Sequence, residues 1–562
     1  MSRRGLVLLP LLLCALAFAA TRRSPETMRL WLINGAYWIV ALFALCALRG
    51  AALWARERGE RLASFRRDNA AGLLAAGALS ALVFVAVPPR LRVLPDETVL
   101  IGVSRSMTFD KKVEVVAEAQ RYFDTQFPEN GPFEVQPRPH LFPFLLSVVH
   151  TATGYRVANA FALNFLVLWA LLALVFAWTR ELLLETGEAA FAKAGGFAAM
   201  LAVIAQPVVA LSASSGGFDL LSAFCILLSL RALQSYLESS TPEGFEALWL
   251  SLLAAASVRY EGGVYLAVVG GALLLLGRLR RDHAESSVAF ALTPVFLLPT
   301  LWQRCLSGIV DAPAGQIVAS PSYALANTAA FLKAALRWDL SLPYASIINL
   351  AGLAGAAWFV ASALRARNRP VLVAASALLA HWAVVSAFYF SVPDSPSASR
   401  YYGVFAIVLS VCAVLLAARL GAVRRRPTAL VAAAAAMLLL YLPTAIEDRA
   451  GRSLALPREH EAVLDFLKDK KDFLLIADKP NLYTPYGFGA LGFRTATSRA
   501  SDLRARMTTF LIHDIFVIQE IDLQTGQPLG WETLPPELPL ETLYELRTRV
   551  LATMRISRVR RG

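Results

Sequence analysis

The chain has 562 residues, 57% of them hydrophobic and 17% charged, with a mean hydropathy of +0.54 and a net charge of +13. Globular domains are about half apolar and about a quarter charged, so these proportions exclude a purely soluble protein and predict a polytopic membrane protein. The arginines cluster between apolar blocks, as in "RERGERLASFRR", "RLRRDH", "RARNR" and "RRR", a pattern of cytoplasmic loops that speaks against nucleic-acid binding.

In chain order, "MSRRGLVLLPLLLCALAFAATRR" reads as a signal peptide or as a short first span. The uncleaved span is preferred, because a multispan protein needs no cleavage to insert. Apolar blocks at 6–20, 30–48, 70–88, 158–178, 195–213, 217–236, 246–258, 262–277, 287–303, 345–364, 371–390, 401–418 and 428–443 predict about 13 transmembrane helices. With Arg3 and Arg4 inside, every basic cluster falls on the cytoplasmic side, and an odd count leaves the C-terminus outside. The expected fold class is therefore an all-α polytopic membrane protein with a C-terminal extracytoplasmic α/β domain. Its parts are two leading spans and a basic loop (1–68), a larger transmembrane domain (69–443) with outer loops 89–157 and 304–344, and a soluble domain (444–562).

Within the first outer loop, "KKVEVVAEAQRYFDTQF" spaces Val113, Val116, Ala117, Phe123 and Phe127 as one face of an interfacial helix. The second outer loop holds Asp311, Lys333, Arg337 and Asp339. In the tail, "REHEAVLDFLKDK" predicts a helix, "DFLLIAD" and "DIFVIQEID" two strands, and "ETLYELRTRVLATM" a second helix. The five cysteines, Cys14, Cys46, Cys225, Cys305 and Cys412, show neither a disulfide framework nor metal-ligand spacing, so no metal and no cofactor is expected.

Several polar residues stand out against this background. Asp96 and Glu97, in "RVLPDETVLIG", follow directly on a span. On an outer face such a carboxylate can take a proton from an incoming nucleophile; acids in a first helical turn also serve as caps. In "QPRPHLFPFLLSVVH", prolines 137, 139 and 143 stiffen the return to the membrane around Arg138 and His140. The planar fork of Arg138 suits phosphate oxygens, and snorkelling to lipid head groups is its other use. Asp219, in "SSGGFDLLSAF", opens a helix as a cap or as a reacting acid. Arg259 and Glu261, in "SVRYEGGVYL", form a local ion pair or an anion site. Arg400 and Tyr401, in "PSASRYYGVF", begin another span, and Arg138, Arg259 and Arg400 are candidates to converge on one anionic group.

His381 lies mid-span, either as a functional ionisable group or as a neutral histidine bonded between helices. No Asp, Glu, Lys or Arg falls at the centre of a span and no internal repeat is evident, which argues against coupled transport. "YGFGALGF" has GxGxxG spacing at Gly487, Gly489 and Gly492. Two prolines separate it from the preceding strand, so a dinucleotide turn is not expected.

Taken together, "PDE" at 95–97, "RPHLFPFLL", "SGGFDLL", "RYEG" and "SRYYGVF" resemble landmarks of the GT-C superfamily of membrane glycosyltransferases. The nearest likeness is to its bacterial protein mannosyltransferase-like and aminoarabinose transferase-like branch, and it covers most of 70–562. That family carries an Asp-Glu pair in the first outer loop and closes the loop with a Lys-Pro-Pro-Leu-like motif; here Arg138 stands at the basic position and His140 at the second proline. The family pair often continues with a basic residue that "DETVLIG" lacks, for which Arg92 and Arg105 are substitutes. The resemblance implies transfer of a sugar from a polyprenyl-phosphate donor to a lipid, glycan or protein acceptor at the outer face of a bacterial cytoplasmic membrane. It implies inversion, Asp96 as base, Glu97 orienting the base or binding acceptor, and a substrate site among Arg138, His140, Asp219, Arg259, Glu261, Arg400 and Tyr401. The rival readings are a transporter or flippase of lipid-linked sugars and a non-catalytic envelope-assembly protein.

Overall fold

A computed structural model describes residues 12–561 apart from 13, 17, 20–23, 58, 117, 119–132, 136–137, 308–317, 338–339, 341, 394, 396, 422–425, 448–454, 509–511 and 530–531. The first apolar block lies largely outside these residues, as do Phe123, Phe127, Asp311 and Asp339. The described helices are α1 (Pro25–Glu57), α2 (Gly59–Ala86), α3 (Leu94–Phe109), α4 (Leu141–Thr153), α5 (Asn159–Glu185), α6 (Ala192–Ile204), α7 (Pro207–Ala213), α8 (Asp219–Ser239), α9 (Pro242–Val258) and α10 (Gly262–Leu275). After two short helical turns come α11 (Thr293–Ser307), α12 (Pro321–Leu336), α13 (Ser346–Ala366), α14 (Arg369–Ser386), α15 (Gly403–Gly421), α16 (Pro427–Ile446) and α17 (Ala455–Leu467).

Among the described residues, eight helices are long and apolar enough to cross a membrane, and the bent pair α6–α7 makes nine. The blocks at 246–258, 262–277 and 287–303 form α9, α10 and α11, of 17, 14 and 15 residues, each shorter than the ~20 residues a full crossing needs. The expected count of 13 is therefore not reached among these residues, although the polytopic character is plain.

The chain divides into two compact units: Met1–Arg90, Pro137–Leu145 and Ala160–Gly451 in one, and Leu91–Gln136, Leu146–Asn159 and Arg452–Gly562 in the other. Residues of the first outer loop thus group with the C-terminal residues, where the sequence boundaries set them with the transmembrane helices.

In the first unit, Asn-, Ser- or Thr-capped starts followed by proline recur: Thr241 accepts from the Gly244 N–H, Ser320 from Tyr323 and Asn368 from Val371. Each side chain satisfies a donor that a helix start leaves open, and proline costs nothing there. Pro207 breaks the α6–α7 span, and the two halves turn by 77°. Gln206 at the break is fully buried, accepting from the Ala345 N–H (2.9 Å) and donating to Asn349 Oδ1 (2.8 Å). Helices α13 and α15 touch backbone to backbone: a Cβ on Gly352 or Gly355 would strike the carbonyls of Leu409 or Cys412. Small residues at such a crossing are how helices pack where lipid is as apolar as leucine.

The second unit is built on a five-stranded sheet, ordered β4–β3–β5–β7–β6, from β3 (Phe473–Ile476), β4 (Gly489–Leu491), β5 (Asp514–Asp522), β6 (Leu540–Leu546) and β7 (Ala552–Val559). β3 runs parallel to β4 and β5, and β7 antiparallel to β5 and β6. Helix α17 and strands β3 and β5 match expectation. The helix expected over "ETLYELRTRVLATM" is instead the β6–β7 hairpin. Its Leu, Glu and Arg content favours a helix only weakly, and pairing β7 between β5 and β6 buries Met554, Ile556 and Val559, which outweighs that preference. Arg549, in the hairpin turn, bonds Glu459 of α17 and Glu520 of β5 (Nη1–Oε2 2.6 Å). The interfacial helix is likewise overturned at its start: Val115–Val116 (β1) pair antiparallel with Phe133–Glu134 (β2), consistent with the β-branched "VEVV" run.

Candidate functional site

In the first unit four helix ends meet. Asp219 is the first residue of α8, Arg259 ends α9, Glu261 precedes α10, and Arg400 and Tyr401 lie in the 3-10 turn Ser399–Tyr402 before α15. The carboxylates stand at helix N-termini and Arg259 at a C-terminus, the ends whose partial charges favour them. The break between α9 and α10 is tight, because a Cβ on Gly262 would strike the Ala255 carbonyl.

Arg259 is the hub. Its Nη1 donates to Asp219 Oδ1, its Nη2 to Glu261 Oε1 (3.1 Å) and its Nε to Glu261 Oε2 (3.3 Å). Arg400 Nη1 reaches the other Asp219 oxygen at 3.5 Å. The Tyr401 ring centre is 4.5 Å from the Arg259 guanidinium carbon and 5.3 Å from that of Arg400, a cation–π arrangement. The side chains of Asp219, Arg259 and Arg400 are only 7, 10 and 11% exposed. Charges so buried persist only when paired, and here two cations balance two carboxylates. With Ser222, Ile226, Val404 and His381 they line a small cleft of about 20 Å³.

His381, on α14, is buried, and its Nδ1 lies 2.9 Å from the Tyr265 hydroxyl of α10. It thus bridges two helices, the second of the readings given above, and also lines the cleft. Arg138 is not among the lining residues. Its carbonyl accepts from Gln303 Nε2 (2.5 Å), and its charge acts on Tyr260. Tyr260 donates to Gln303 Oε1 (3.2 Å) and carries Arg304 over its ring at 5.1 Å. Arg259 and Arg400 therefore share Asp219, while Arg138 groups with Tyr260, Gln303 and Arg304. The last two went unremarked in the sequence, although "QR" in "LWQRCL" interrupts the end of an apolar block. His140 is buried just before α4, its Nε2 without a hydrogen bond among the described residues.

Asp96 and Glu97 belong to the second unit, in the first turn of α3. Glu97 is fully buried and its Oε2 accepts from the N–H groups of Arg92 (2.6 Å) and Val93 (2.9 Å). It caps the start of α3 from inside the turn; Asp96 is half-buried beside it. Arg105, considered in place of the missing basic residue, sits over the Tyr155 ring at 5.8 Å, and that ring packs on His150 at 4.6 Å. In the GxGxxG stretch Gly487 has φ +83°, Gly489 lies within β4, and the Gly492 N–H donates to Glu118 Oε1 (3.0 Å). This is not the strand–turn–helix of a dinucleotide site.

No protein-family model and no curated protein matches the chain. Among solved structures, ArnT from Cupriavidus metallidurans in the apo state matches with TM-score 0.55 at 15% identity, over 88% of this chain and 98% of that one. The chain carries the fold of ArnT. ArnT from the same organism bound to undecaprenyl phosphate matches with TM-score 0.53 at 14% identity, over 86% of this chain and 97% of that one. The likeness expected from the sequence is met in fold.

Proposed function

We propose that the chain is an integral-membrane glycosyltransferase that moves a sugar from a polyprenyl-phosphate donor to a lipid, glycan or protein acceptor at the outer face of a bacterial cytoplasmic membrane. The observation that carries this reading is the buried Arg259–Asp219–Arg400 cleft within an ArnT fold. The ArnT structure with undecaprenyl phosphate supports a lipid-phosphate ligand of the same kind.

In this reading Asp96 takes the proton from the acceptor hydroxyl as its oxygen bonds to the anomeric carbon. The bond from that carbon to the phosphate oxygen breaks, the lipid phosphate leaves with the electron pair, and the configuration inverts. A phosphate leaves as an anion and needs no protein acid, so one carboxylate suffices where most glycoside hydrolases use two. Arginine stabilises the growing phosphate charge. Arg400, whose contact with Asp219 is long at 3.5 Å, is the better placed to turn to a phosphate; Arg259 is held by two carboxylates. Arg138 and His140 serve the same ligand or the acceptor at the membrane entry.

The test is mass spectrometry of envelope glycans and glycolipids in a deletion strain, with complementation by the wild-type gene and by Asp96→Asn. Loss of one glycan, restored only by the wild type, is expected. A deletion strain with an unchanged glycan profile overturns the proposal.

A further inference from the structure

His381 stands five residues before the end of α14, is 4% exposed, and lines the cleft with Asp219, Arg259, Glu261 and Arg400. Its Nδ1 edge is turned to the Tyr265 hydroxyl at 2.9 Å, and the Phe405 ring packs on it with centres 5.0 Å apart. Neither Tyr265 nor Phe405 is among the residues that line the cleft. The part of the imidazole left to face it is therefore the edge that carries Nε2, which has no hydrogen bond among the described residues.

The bond to Tyr265 decides where the ring proton sits. Tyr265 is fully buried, and among the described residues its hydroxyl bonds only His381 Nδ1. Were the proton on Nδ1, the Tyr265 O–H would be stranded without an acceptor, at the full cost of a buried unpaired donor. Tyr265 therefore donates to Nδ1, and a neutral imidazole then carries its hydrogen on Nε2. The wall of the cleft thus presents an N–H donor, held in one tautomer by a bond from α10 to α14. The two carboxylates of the cleft are already engaged, because Arg259 uses Nη1 on Asp219 and Nη2 and Nε on Glu261. Ser222, one turn along α8 from Asp219, brings a hydroxyl to the same space.

A volume of about 20 Å³ has room for one water-sized group. A phosphate is not engulfed there; one of its oxygens enters. Such an oxygen only accepts, which suits donors from His381, Ser222 and Arg400. We propose that His381 Nε2 donates to a non-bridging phosphate oxygen of the polyprenyl-phosphate donor, and that Tyr265 is the positioning residue that fixes its tautomer. This rests on the reading of the cleft as the site of the donor phosphate. Away from bulk water, a hydrogen bond to a charged oxygen is stronger than the same bond in solvent.

The test uses the full-length chain in nanodiscs loaded with graded amounts of undecaprenyl phosphate, the bound fraction being read from its phosphorus resonance. Undecaprenol, which has the tail without the phosphate, is measured as a competitor. His381→Phe keeps the aromatic packing and is expected to raise Kd for the phosphate about tenfold, with competition by undecaprenol unchanged. His381→Gln, whose amide reaches where Nε2 lay, restores most of the binding; His381→Asn, whose shorter amide reaches only the Nδ1 position, does not. Tyr265→Phe falls between, and the nitrogen resonances of His381, assigned by their loss in His381→Phe, change from one tautomer to a mixture. A His381→Phe chain with wild-type affinity overturns the proposal, as does one that binds both lipids more weakly in proportion to a smaller folded fraction. A wild-type ring protonated on Nδ1 overturns it as well. A wild-type chain that competes for undecaprenol but does not bind the phosphate removes the donor-phosphate reading of the cleft, and this inference with it.

Discussion

Arg259 and Asp219, 40 positions apart in the chain, share a buried ion pair that ties the start of α8 to the break between α9 and α10. Arg259→Ala would leave Glu261 without the guanidinium that it bonds and Asp219 with only the longer contact to Arg400. The expected cost is about 3–5 kcal/mol, seen as a large fall in Tm for the detergent-solubilised protein. A variant that melts with the wild type would show that the pair contributes little to the fold.

Arg400 shares the same carboxylate from farther away, which makes it the arginine to test for ligand binding. Arg400→Lys retains the charge but loses the fork that grips two oxygens at once. We expect normal insertion and Tm, with at least a ~10-fold fall in transfer, the equivalent of about 1.4 kcal/mol. Retained transfer would remove Arg400 from the phosphate site.

The two acids of the pair should separate by phenotype. Asp96→Asn is expected to fold normally and lose transfer by about 10²–10⁴, the usual weight of a general base. Glu97→Ala removes the acceptor for two backbone N–H groups, at about 1–3 kcal/mol. It should therefore lower Tm and speed hydrogen exchange at the start of α3. Equal losses of Tm in both variants would argue that Asp96 is structural too.

Gly352 offers a test that touches no charged group. Its missing Cβ lets α13 lie on the α15 backbone at Leu409, so Gly352→Val must push the helices apart. A loss of roughly 1–3 kcal/mol, or failure to accumulate in the membrane, is expected; Gly263→Val, where a Cβ meets nothing within 4 Å, should be far milder. Comparable membrane yields for both would rule out the tight crossing.

Glu532 gives the C-terminal domain a pH dependence. Burial, followed by the nearby Glu520 and Asp478 charges, pushes its carboxyl up to about 7 against the Glu520 N–H that it accepts. The folded state therefore holds a proton that the unfolded chain gives up near the ordinary value of ~4.3, and stability falls as pH rises through that window, levelling above about 7. Glu532→Gln should accordingly raise Tm more at pH 8 than at pH 5. A pH-independent effect of the substitution would refute the assignment.

What could be read early was whatever a short window encodes. Runs of apolar residues marked the spans, and the short apolar runs in "DFLLIAD" and "DIFVIQEID" marked β3 and β5. Short polar breaks such as "RYEG" and "SRYYGVF" marked the helix ends that line the cleft. The failures share a cause. Val115–Val116 and the 540–559 hairpin are strands because distant partners complete their hydrogen bonds, and nothing in "ETLYELRTRVLATM" announces β5. The three arginines looked alike in their motifs, yet only Arg259 and Arg400 share Asp219.

By itself, the sequence determined a polytopic membrane chain with a terminal α/β domain and the residue types of its polar helix ends, because hydropathy and helical period are local properties. Only the tertiary structure decided that Glu97 caps its own helix, that Arg259 is neutralised by Asp219 and Glu261, and that residues 484–486 seat α3. Those outcomes depend on which buried charge or donor finds which partner: Glu97 and Glu261 find theirs within five residues, while Asp219 and the 484–486 turn find theirs 40 or more residues away along the chain.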